Sequence, residues 1–255
     1  MIQASILIVE YNTPELLAEC LASLKKNTSG SYEILLHDNS PPHPNLGFAR
    51  ANNLLVSRAK GEYIILLNPD TKVTPGWLDG LIETAESNSR IGIVQPKLLR
   101  PNGVIDSTGH SWSKGGDPYD RGMGELDHGQ YDAKTELASC CFACALIKKE
   151  LFADIGLFDD RLFLFFEDVD FCLRAKKAEW RVVFCPRSVV YHRRHGTGVA
   201  SHKYYMPYII LKICGPRRYF KRLGGLLFAL SVGVMKSDST YVRTKLGQIR
   251  DAIFF

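Results

Sequence analysis

The chain has 255 residues, of which 45% are hydrophobic and 23% charged, a composition that excludes a disordered or fibrous protein. This length predicts one large α/β domain with an appendage. Seven cysteines, an odd number, favour reduced thiols in the cytoplasm, and the N-terminus lacks the pattern of a signal peptide.

The net charge of +5 is unevenly distributed along the chain. Residues 1–185 carry 19 basic and 25 acidic side chains, whereas residues 186–255 carry 13 basic and 2 acidic ones. The acidic part suits a divalent metal site, and the basic tail suits phosphates, anionic lipid head groups or nucleic acid. We place the domain at residues 1–200 and a basic helical extension at residues 201–255.

The first 70 residues alternate strands and helices. Apolar runs predict buried strands at residues 5–9, 33–37 and 62–67, and helices begin at Pro14 and Gly47. This order predicts βαβ units in a mostly parallel central sheet. Because ligands gather outside the carboxyl ends of such strands, Asp38 is predicted to lie beside a bound nucleotide.

The pattern continues less regularly toward residue 200. We predict a helix over residues 75–87, a strand over 91–94, a small-residue segment over 138–145 followed by a helix to 155, and a strand over 181–184. Residues 101–135 show no period, so we expect a functional lid or binding wall there. Helices are expected from residue 201 onward.

Two acidic motifs carry the strongest chemical signal. Asn68-Pro69-Asp70 follows a buried strand, where Asp70 would hold a divalent cation that clamps a diphosphate; the alternative is a simple turn. Glu167-Asp168 lies among aromatic residues and would supply a general base; the alternative is a solvated helix start. If this segment is helical, Asp170 points away from Glu167 and pairs with Arg174.

Other features are open to two interpretations. His192 either completes a metal site or is structural, and the basic cluster around it would hold phosphates. The uncharged run 224–235 is too short to span a bilayer and is either an in-plane membrane contact or a buried helix. Cys140, Cys141 and Cys144 lack a second ligand pair at matching spacing, which disfavours zinc.

Together these residues resemble the family 2 glycosyltransferases, particularly the rhamnosyltransferase-like branch, over roughly residues 4–200. The resemblance is carried by the following segments, in this order: residues 5–12, 16–24, Asp38-Asn39-Ser40, 45–53, 67–70 and 166–174. It implies a GT-A fold, a nucleotide-sugar donor, a Mg²⁺ or Mn²⁺ ion, and inversion at the anomeric carbon by direct displacement.

The resemblance also implies roles for individual residues. Asp168 looks like the catalytic base, with Glu167 as its partner and as an acceptor contact beside Arg174. Asp70 and His192 look like metal ligands, and Asp38 looks like the aspartate that recognises the base. The donor site would contain Glu10, Tyr11, Asn12, Asp38, Asn39, Gly47, Asn52, Asn68 and Asp70.

Three departures from the family pattern matter. Glu10 stands where a neutral residue is usual and adds a charge beside the nucleotide. The loop over residues 40–45 is short and proline-rich, which puts the base and ribose contacts in doubt. Glu179 stands where a glycine is customary before Trp180, and we expect this change to have only a local effect.

The expected activity is transfer of a sugar from dTDP-rhamnose or a UDP-hexose to a hydroxyl of a glycan or polyprenyl-diphosphate-linked acceptor, at the inner face of the cell membrane. The sequence predicts no nucleic-acid partner and says nothing of the oligomeric state. Two rivals remain: a sugar-1-phosphate nucleotidyltransferase, and a relative that binds nucleotide or glycan without catalysis. The first would need a Gly-rich basic loop after the first strand, where the chain has Glu10 to Pro14.

Overall fold

The computed structural model describes residues 2–113 and 117–194, together with residues 227, 228 and 246. The chain divides into two compact units, Met1–Val199 and Ala200–Phe255. Within the second unit, the three described residues are helical. The predicted helices of residues 201–255 and the membrane contact at 224–235 otherwise lie outside the described residues. None of the described helices has the length and apolar character needed to cross a bilayer.

The first unit is built on one eight-stranded sheet, in the order β2-β1-β3-β9-β5-β10-β4 with β6 paired to β5. Its strands are β1 (Ala4–Glu10), β2 (Tyr32–Asp38), β3 (Tyr63–Leu67), β4 (Thr71–Val73), β5 (Ile91–Leu99), β6 (Ile105–Ser107), β9 (Cys144–Lys148) and β10 (Arg181–His192). A separate hairpin joins β7 (His110–Trp112) to β8 (Pro118–Asp120).

The predicted α/β class is confirmed, with a sheet that is more mixed than predicted. Strands β2, β1 and β3 are parallel, as are β5 and β10. Strand β9 runs antiparallel to both β3 and β5, which lie on either side of it. The parallel half therefore places the ends of β1, β2 and β3 at one edge, where the predicted donor residues lie.

Five helices cover the two faces of the sheet: α1 (Pro14–Asn27), α2 (Gly47–Val56), α3 (Trp77–Glu86), α4 (Lys149–Ile155) and α5 (Glu167–Lys177). Helices α1 and α3 pack on one face through residues such as Leu24 and Trp77. Helices α2, α4 and α5 pack on the other through Leu55, Leu151 and Phe171. Alternate residues of β3 enter the two cores, as expected for a strand buried on both sides.

The segment 101–135 is more ordered than predicted. It contains β6, β7 and β8, and its last part is fixed to the sheet by Lys97 of β5. The Lys97 ammonium lies 2.9 Å from a carboxylate oxygen of both Asp127 and Asp132, and its side chain is only 7% exposed. Since a buried ammonium is costly without partners, this cluster ties the loop firmly to β5.

Gly47, at the start of α2, lies against the chain that leads into α5. Its φ angle is +74°, and a Cβ atom there would lie 2.3 Å from the carbonyl oxygen of Phe163. The amide of the next residue, Phe48, donates a 2.7 Å hydrogen bond to the same carbonyl. Only glycine allows this close approach, which fixes α2 relative to the N-terminus of α5.

We expect Gly47→Ala to lower the free energy of unfolding by about 2–4 kcal/mol, because it adds a steric overlap to the cost of a left-handed alanine. Gly76→Ala is the matched control: its φ is +73° but nothing lies within 4 Å of the added carbon, so about 1 kcal/mol is expected. Urea unfolding measures both. Equal losses in the two variants would show that the contact with Phe163 has no energetic importance.

Candidate active site

The candidate site lies where β1, β2 and β3 end and α5 begins. Glu10 and Asp38 are paired in register at the ends of β1 and β2. Asn68 and Asp70 follow β3, and Glu167 and Asp168 open α5. Each strand therefore delivers at least one polar residue to this edge, as predicted.

On the nucleotide side, the Glu10 carboxylate is buried and holds the loop around it. It accepts hydrogen bonds from the backbone and hydroxyl of Thr13 and, at 2.5 Å, from the Ser40 hydroxyl. The Ser40 amide donates a 2.7 Å bond to Asp38. Hydrogen bonds from Ser40 lower the pKa of Asp38, whose side chain is exposed. The Glu10 carboxylate is thus satisfied by hydrogen bonds within the protein, whereas the Asp38 carboxylate remains accessible to a ligand.

Several predicted donor residues have structural contacts in the same region. The Asn39 side chain donates to the Gly47 carbonyl and accepts from the Leu46 amide, and Asn52 donates to the Phe48 carbonyl. Both asparagines are buried. Their contacts shape the loop that leads into α2.

Tyr11 and Asn12 lie at the tip of β1. Tyr11 is partly exposed, and the backbone of Asn12 donates a 2.8 Å bond to the Ser40 hydroxyl. Asn12 has a φ of +55°, a conformation that asparagine tolerates better than most residues. These two residues therefore lie directly at the ends of β1 and β2, beside Ser40.

Asn68-Pro69-Asp70 forms a turn that also presents a carboxylate. The Asn68 carbonyl accepts bonds from the amide and hydroxyl of Thr71, and the Asn68 amide donates to Ala143. The turn delivers Asp70 to His192, with 3.3 Å between Asp70 Oδ1 and His192 Nε2. The same three residues can therefore form a turn and present Asp70 as a metal ligand.

His192 is held from behind by Asp106, a residue that the sequence did not single out. His192 Nδ1 lies 2.7 Å from Asp106 Oδ2, and Asp106 is fully buried. Burial lowers the pKa of His192, but the hydrogen bonds to Asp106 and Asp70 outweigh it and raise the pKa to about 9. A metal ion bound at Nε2 must therefore displace a proton.

Asp70 and His192 fit a divalent metal ion. The 3.3 Å between their facing atoms is close to the ~3 Å that separates neighbouring ligands of an octahedral ion with bonds of ~2.1 Å. A carboxylate with one imidazole suits Mn²⁺ better than Mg²⁺, which prefers oxygen. Among the described residues no group of three His, Cys, Asp or Glu side chains forms a metal site. The remaining ligands would be phosphate oxygens and water.

Arg194 connects the group of Asp70, His192 and Asp106 to the β7–β8 hairpin. Its guanidinium lies 3.0 Å from Asp106 and 2.5 Å from Asp120 of β8. Asp120 in turn lies 3.6 Å from His110 Nε2, and His110 Nδ1 is 3.0 Å from the Ser139 hydroxyl. Asp70, His192, Asp106, Arg194, Asp120 and His110 thus form one continuous chain of alternating charges, which we call the charge network.

Asp168 lies within reach of the charge network. Burial raises the pKa of Asp168, and the opposing charge of His110 limits the increase. Burial and the charge of Asp168 together raise the pKa of Glu167 well above its usual range, which favours the neutral acid. Glu167 Oε2 is buried and has no hydrogen-bond partner among the described residues. The arrangement provides a proton acceptor beside an unsatisfied carboxyl group, both typical of catalytic sites.

The backbone before these carboxylates is strained. Phe165 and Phe166 have φ angles of +72° and +68°, which bulky residues rarely adopt. Such strain costs of order 1–3 kcal/mol per residue and clusters at functional sites. Here it aims the first turn of α5 toward the charge network.

Arg174 has a structural role in α5. It pairs with Asp170 at 2.9 Å, as predicted, and donates to the carbonyls of Ile155 and Leu157. These contacts fasten α5 to the end of α4. A contact of Arg174 with the acceptor stays a prediction.

Comparison with known proteins gives a consistent picture. The family described as Glycosyl transferase family 2 matches residues 41–156. An N-acetylglucosaminyl-diphospho-decaprenol L-rhamnosyltransferase of Mycobacterium tuberculosis is 26% identical over 256 residues, which cover 77% of this chain and 79% of that protein. The O-antigen biosynthesis protein RfbC of Myxococcus xanthus is 26% identical and covers 81% of this chain, but this chain matches only 19% of that protein.

Among solved structures, the crystal structure of GalNAc-T7 with UDP, GalNAc and Mn²⁺ resembles the fold with a TM-score of 0.65. The two chains are 19% identical, and the match covers 83% of this chain and 48% of that one. This likeness concerns the fold.

We expect Asp106→Asn to weaken Mn²⁺ binding by 10- to 100-fold in the presence of a nucleoside diphosphate, because the variant loses the carboxylate that orients His192. Isothermal titration calorimetry measures this affinity. Asp127→Asn is the matched control, since Asp127 lies in the same 101–135 segment as Asp106 but pairs with Lys97 of β5. An Asp106→Asn protein that binds Mn²⁺ within twofold of wild type would contradict the assignment.

Proposed function

We propose that the chain is a family 2 glycosyltransferase of the rhamnosyltransferase-like branch and that it transfers L-rhamnose from dTDP-rhamnose to a polyprenyl-diphosphate-linked N-acetylglucosamine. The enzyme class and the GT-A fold are shared with the matched proteins. The sugar and the acceptor follow the name of the mycobacterial relative, which spans most of this chain. A UDP-hexose is the second donor class to be tested.

The nucleotide would bind across the ends of β1 and β2. Asp38 is exposed at the end of β2 with a lowered pKa, so it is ionised and suited to accept a hydrogen bond from a pyrimidine base. Tyr11 and Asn12 follow the end of β1, which pairs with β2 beside Asp38. Glu10 acts indirectly, through the positions of Thr13 and Ser40.

The diphosphate would lie toward Asp70 and His192, which would hold a divalent cation. When bound, such an ion supplies positive charge that stabilises the departing nucleoside diphosphate. Arg194, whose partly buried side chain already bridges two aspartates, adds a fixed positive charge between the metal side and the catalytic side. The charge network thereby supports the developing negative charge without moving.

The reaction is a single displacement. The acceptor hydroxyl attacks the anomeric carbon from the face opposite the diphosphate, the bond to the diphosphate oxygen breaks, and the configuration inverts. Asp168 accepts the hydroxyl proton, and its raised pKa brings it nearer to the neutral range in which a base works best. Glu167, favoured as a neutral acid, would donate its proton in a hydrogen bond to the acceptor.

The observation that carries this proposal is the charge network itself. It starts at Asp70, which follows β3, and it ends at His110, whose charge acts on Asp168 at the start of α5. The pair that would hold the metal lies at one end of this network, and the base lies near its other end. That is the requirement for transfer from a metal-bound diphosphate.

A membrane-linked acceptor also suits the basic tail. Residues 186–255 carry 13 basic against 2 acidic side chains. Such a segment is attracted to anionic lipid head groups. We therefore include peripheral contact of residues 201–255 with the inner face of the membrane in the proposal.

The proposal is tested by measuring transfer from dTDP-rhamnose, UDP-galactose and UDP-glucose to a short-chain N-acetylglucosaminyl-diphospho-prenol with Mn²⁺. We expect Asp168→Asn to lower kcat by 10²- to 10⁴-fold and to leave the donor Kd unchanged, because the base acts only in the chemical step. Asp170→Asn, the same change two residues along α5, controls for effects on folding.

The anomeric configuration of the product, read by NMR, tests inversion. Wild-type protein that transfers none of these sugars, or Asp168→Asn with kcat within a factor of five of wild type, would refute the proposed function.

A further inference from the structure

The β7–β8 hairpin forms a wall beside the charge network. Its residues pair in register, with His110 opposite Asp120, Ser111 opposite Tyr119 and Trp112 opposite Pro118. The first pair belongs to the charge network: Asp120 contacts Arg194, and His110 contacts Ser139. One end of the hairpin is therefore fixed at the reaction centre.

The alternation of the strands decides which side chains face the site. His110 and Asp120 each expose only 9% of their side chains, whereas Tyr119, on the other face, is 52% exposed. Residues i and i+2 of a strand share a face. Trp112 therefore lies on the inner face with His110, about 7 Å further along the strand.

Trp112 differs from the other two tryptophans of the chain. Trp77 and Trp180 are buried, and their indole nitrogens donate to Thr28 and Asp154. Trp112 is partly exposed and packs into neither hydrophobic core. Among the described residues, an indole N–H donates a hydrogen bond in Trp77 and Trp180 but not in Trp112. A large aromatic side chain thus stands at the site without a structural partner.

We propose that Trp112 is a platform on which a sugar ring stacks during the reaction, an inference that rests on the proposed function and extends it. A pyranose has an apolar face of C–H groups and a rim of hydroxyls. An indole ring offers an apolar face and one N–H donor, which match both features. The ring would lie about one sugar width from the group that acts on Asp168, where the reacting sugars meet.

The surroundings favour a sugar over a lipid chain at this position. Asp120 of the first hairpin pair binds Arg194, and an apolar chain packed there would remove water from the 26% exposed guanidinium without offering it a hydrogen bond. A sugar can hydrogen-bond to these groups while its apolar face covers the indole. The donor sugar and the acceptor sugar share this chemistry.

All three tryptophans fluoresce, but a sugar cannot stack on the buried Trp77 or Trp180, so a change of emission caused by a sugar is assigned to Trp112. We expect a saturable change of emission on addition of either dTDP-rhamnose or the short-chain N-acetylglucosaminyl-diphospho-prenol, and no change in Trp112→Phe. Each compound is added by itself, and the one that changes the emission identifies the stacked sugar as that of the donor or that of the acceptor. dTDP without a sugar is the negative control.

Kinetics provide the second readout. For the compound that changes the emission, we expect Trp112→Ala to raise the KM by roughly three- to tenfold with little change in kcat. Trp112→Phe should bring the KM most of the way back to the wild-type value. Tyr119→Ala, on the outward face of the same hairpin, should leave both constants at wild-type values. Thermal unfolding of each variant checks that the fold is retained.

The two proposals fail in different ways. Wild-type protein that transfers no sugar but shows the saturable change of Trp112 emission refutes the proposed function and supports the platform. Protein that transfers sugar, with emission unaffected by both compounds and a wild-type KM in Trp112→Ala, overturns the platform.

Discussion

Arg194 lies between two buried aspartates, and the site depends on this arrangement. Asp106 is fully buried and Asp120 nearly so, and neither would stay ionised at low cost without a cation. The guanidinium satisfies both through two different nitrogens, at 3.0 and 2.5 Å. Because its fork is planar and rigid, it also sets the distance between β6 and β8. The positions of His192 and His110 follow from it.

This arrangement shows how a segment with only short strands is held in place at the site. Strands β6, β7 and β8 have three residues each, too few to fix their own register. Charged contacts add to their backbone pairing: Arg194 pairs with Asp106 of β6 and Asp120 of β8, and Lys97 of β5 pairs with Asp127 and Asp132 further along the segment. A site built from such contacts is preorganised, and in the proposed function it would present its charges to a diphosphate without rearrangement.

The sequence predicted the parts of the site that lie on long elements. The strands that lead to Asp38 and Asp70 and the family resemblance are confirmed because each rests on a clear local pattern. The helix at Glu167 was only one of the interpretations of its segment, and the structure shows it. Asp106, His110 and Asp120 were missed, and Arg194 was considered only as part of the basic cluster around His192, since their roles arise from contacts between distant segments that no periodicity reveals. Strand β9 was missed too: a short, fully buried run cannot be told from part of a helix by its pattern. The chemical roles of the site residues remain predictions.

The most direct test of this account is a crystal structure with Mn²⁺ and dTDP, in which anomalous scattering locates the metal. The account predicts a manganese peak within coordination distance of both Asp70 and His192 Nε2, with His192 Nδ1 still bonded to Asp106 and the dTDP base beside Asp38. A manganese peak away from this pair, with His192 still bonded to Asp70, would contradict it.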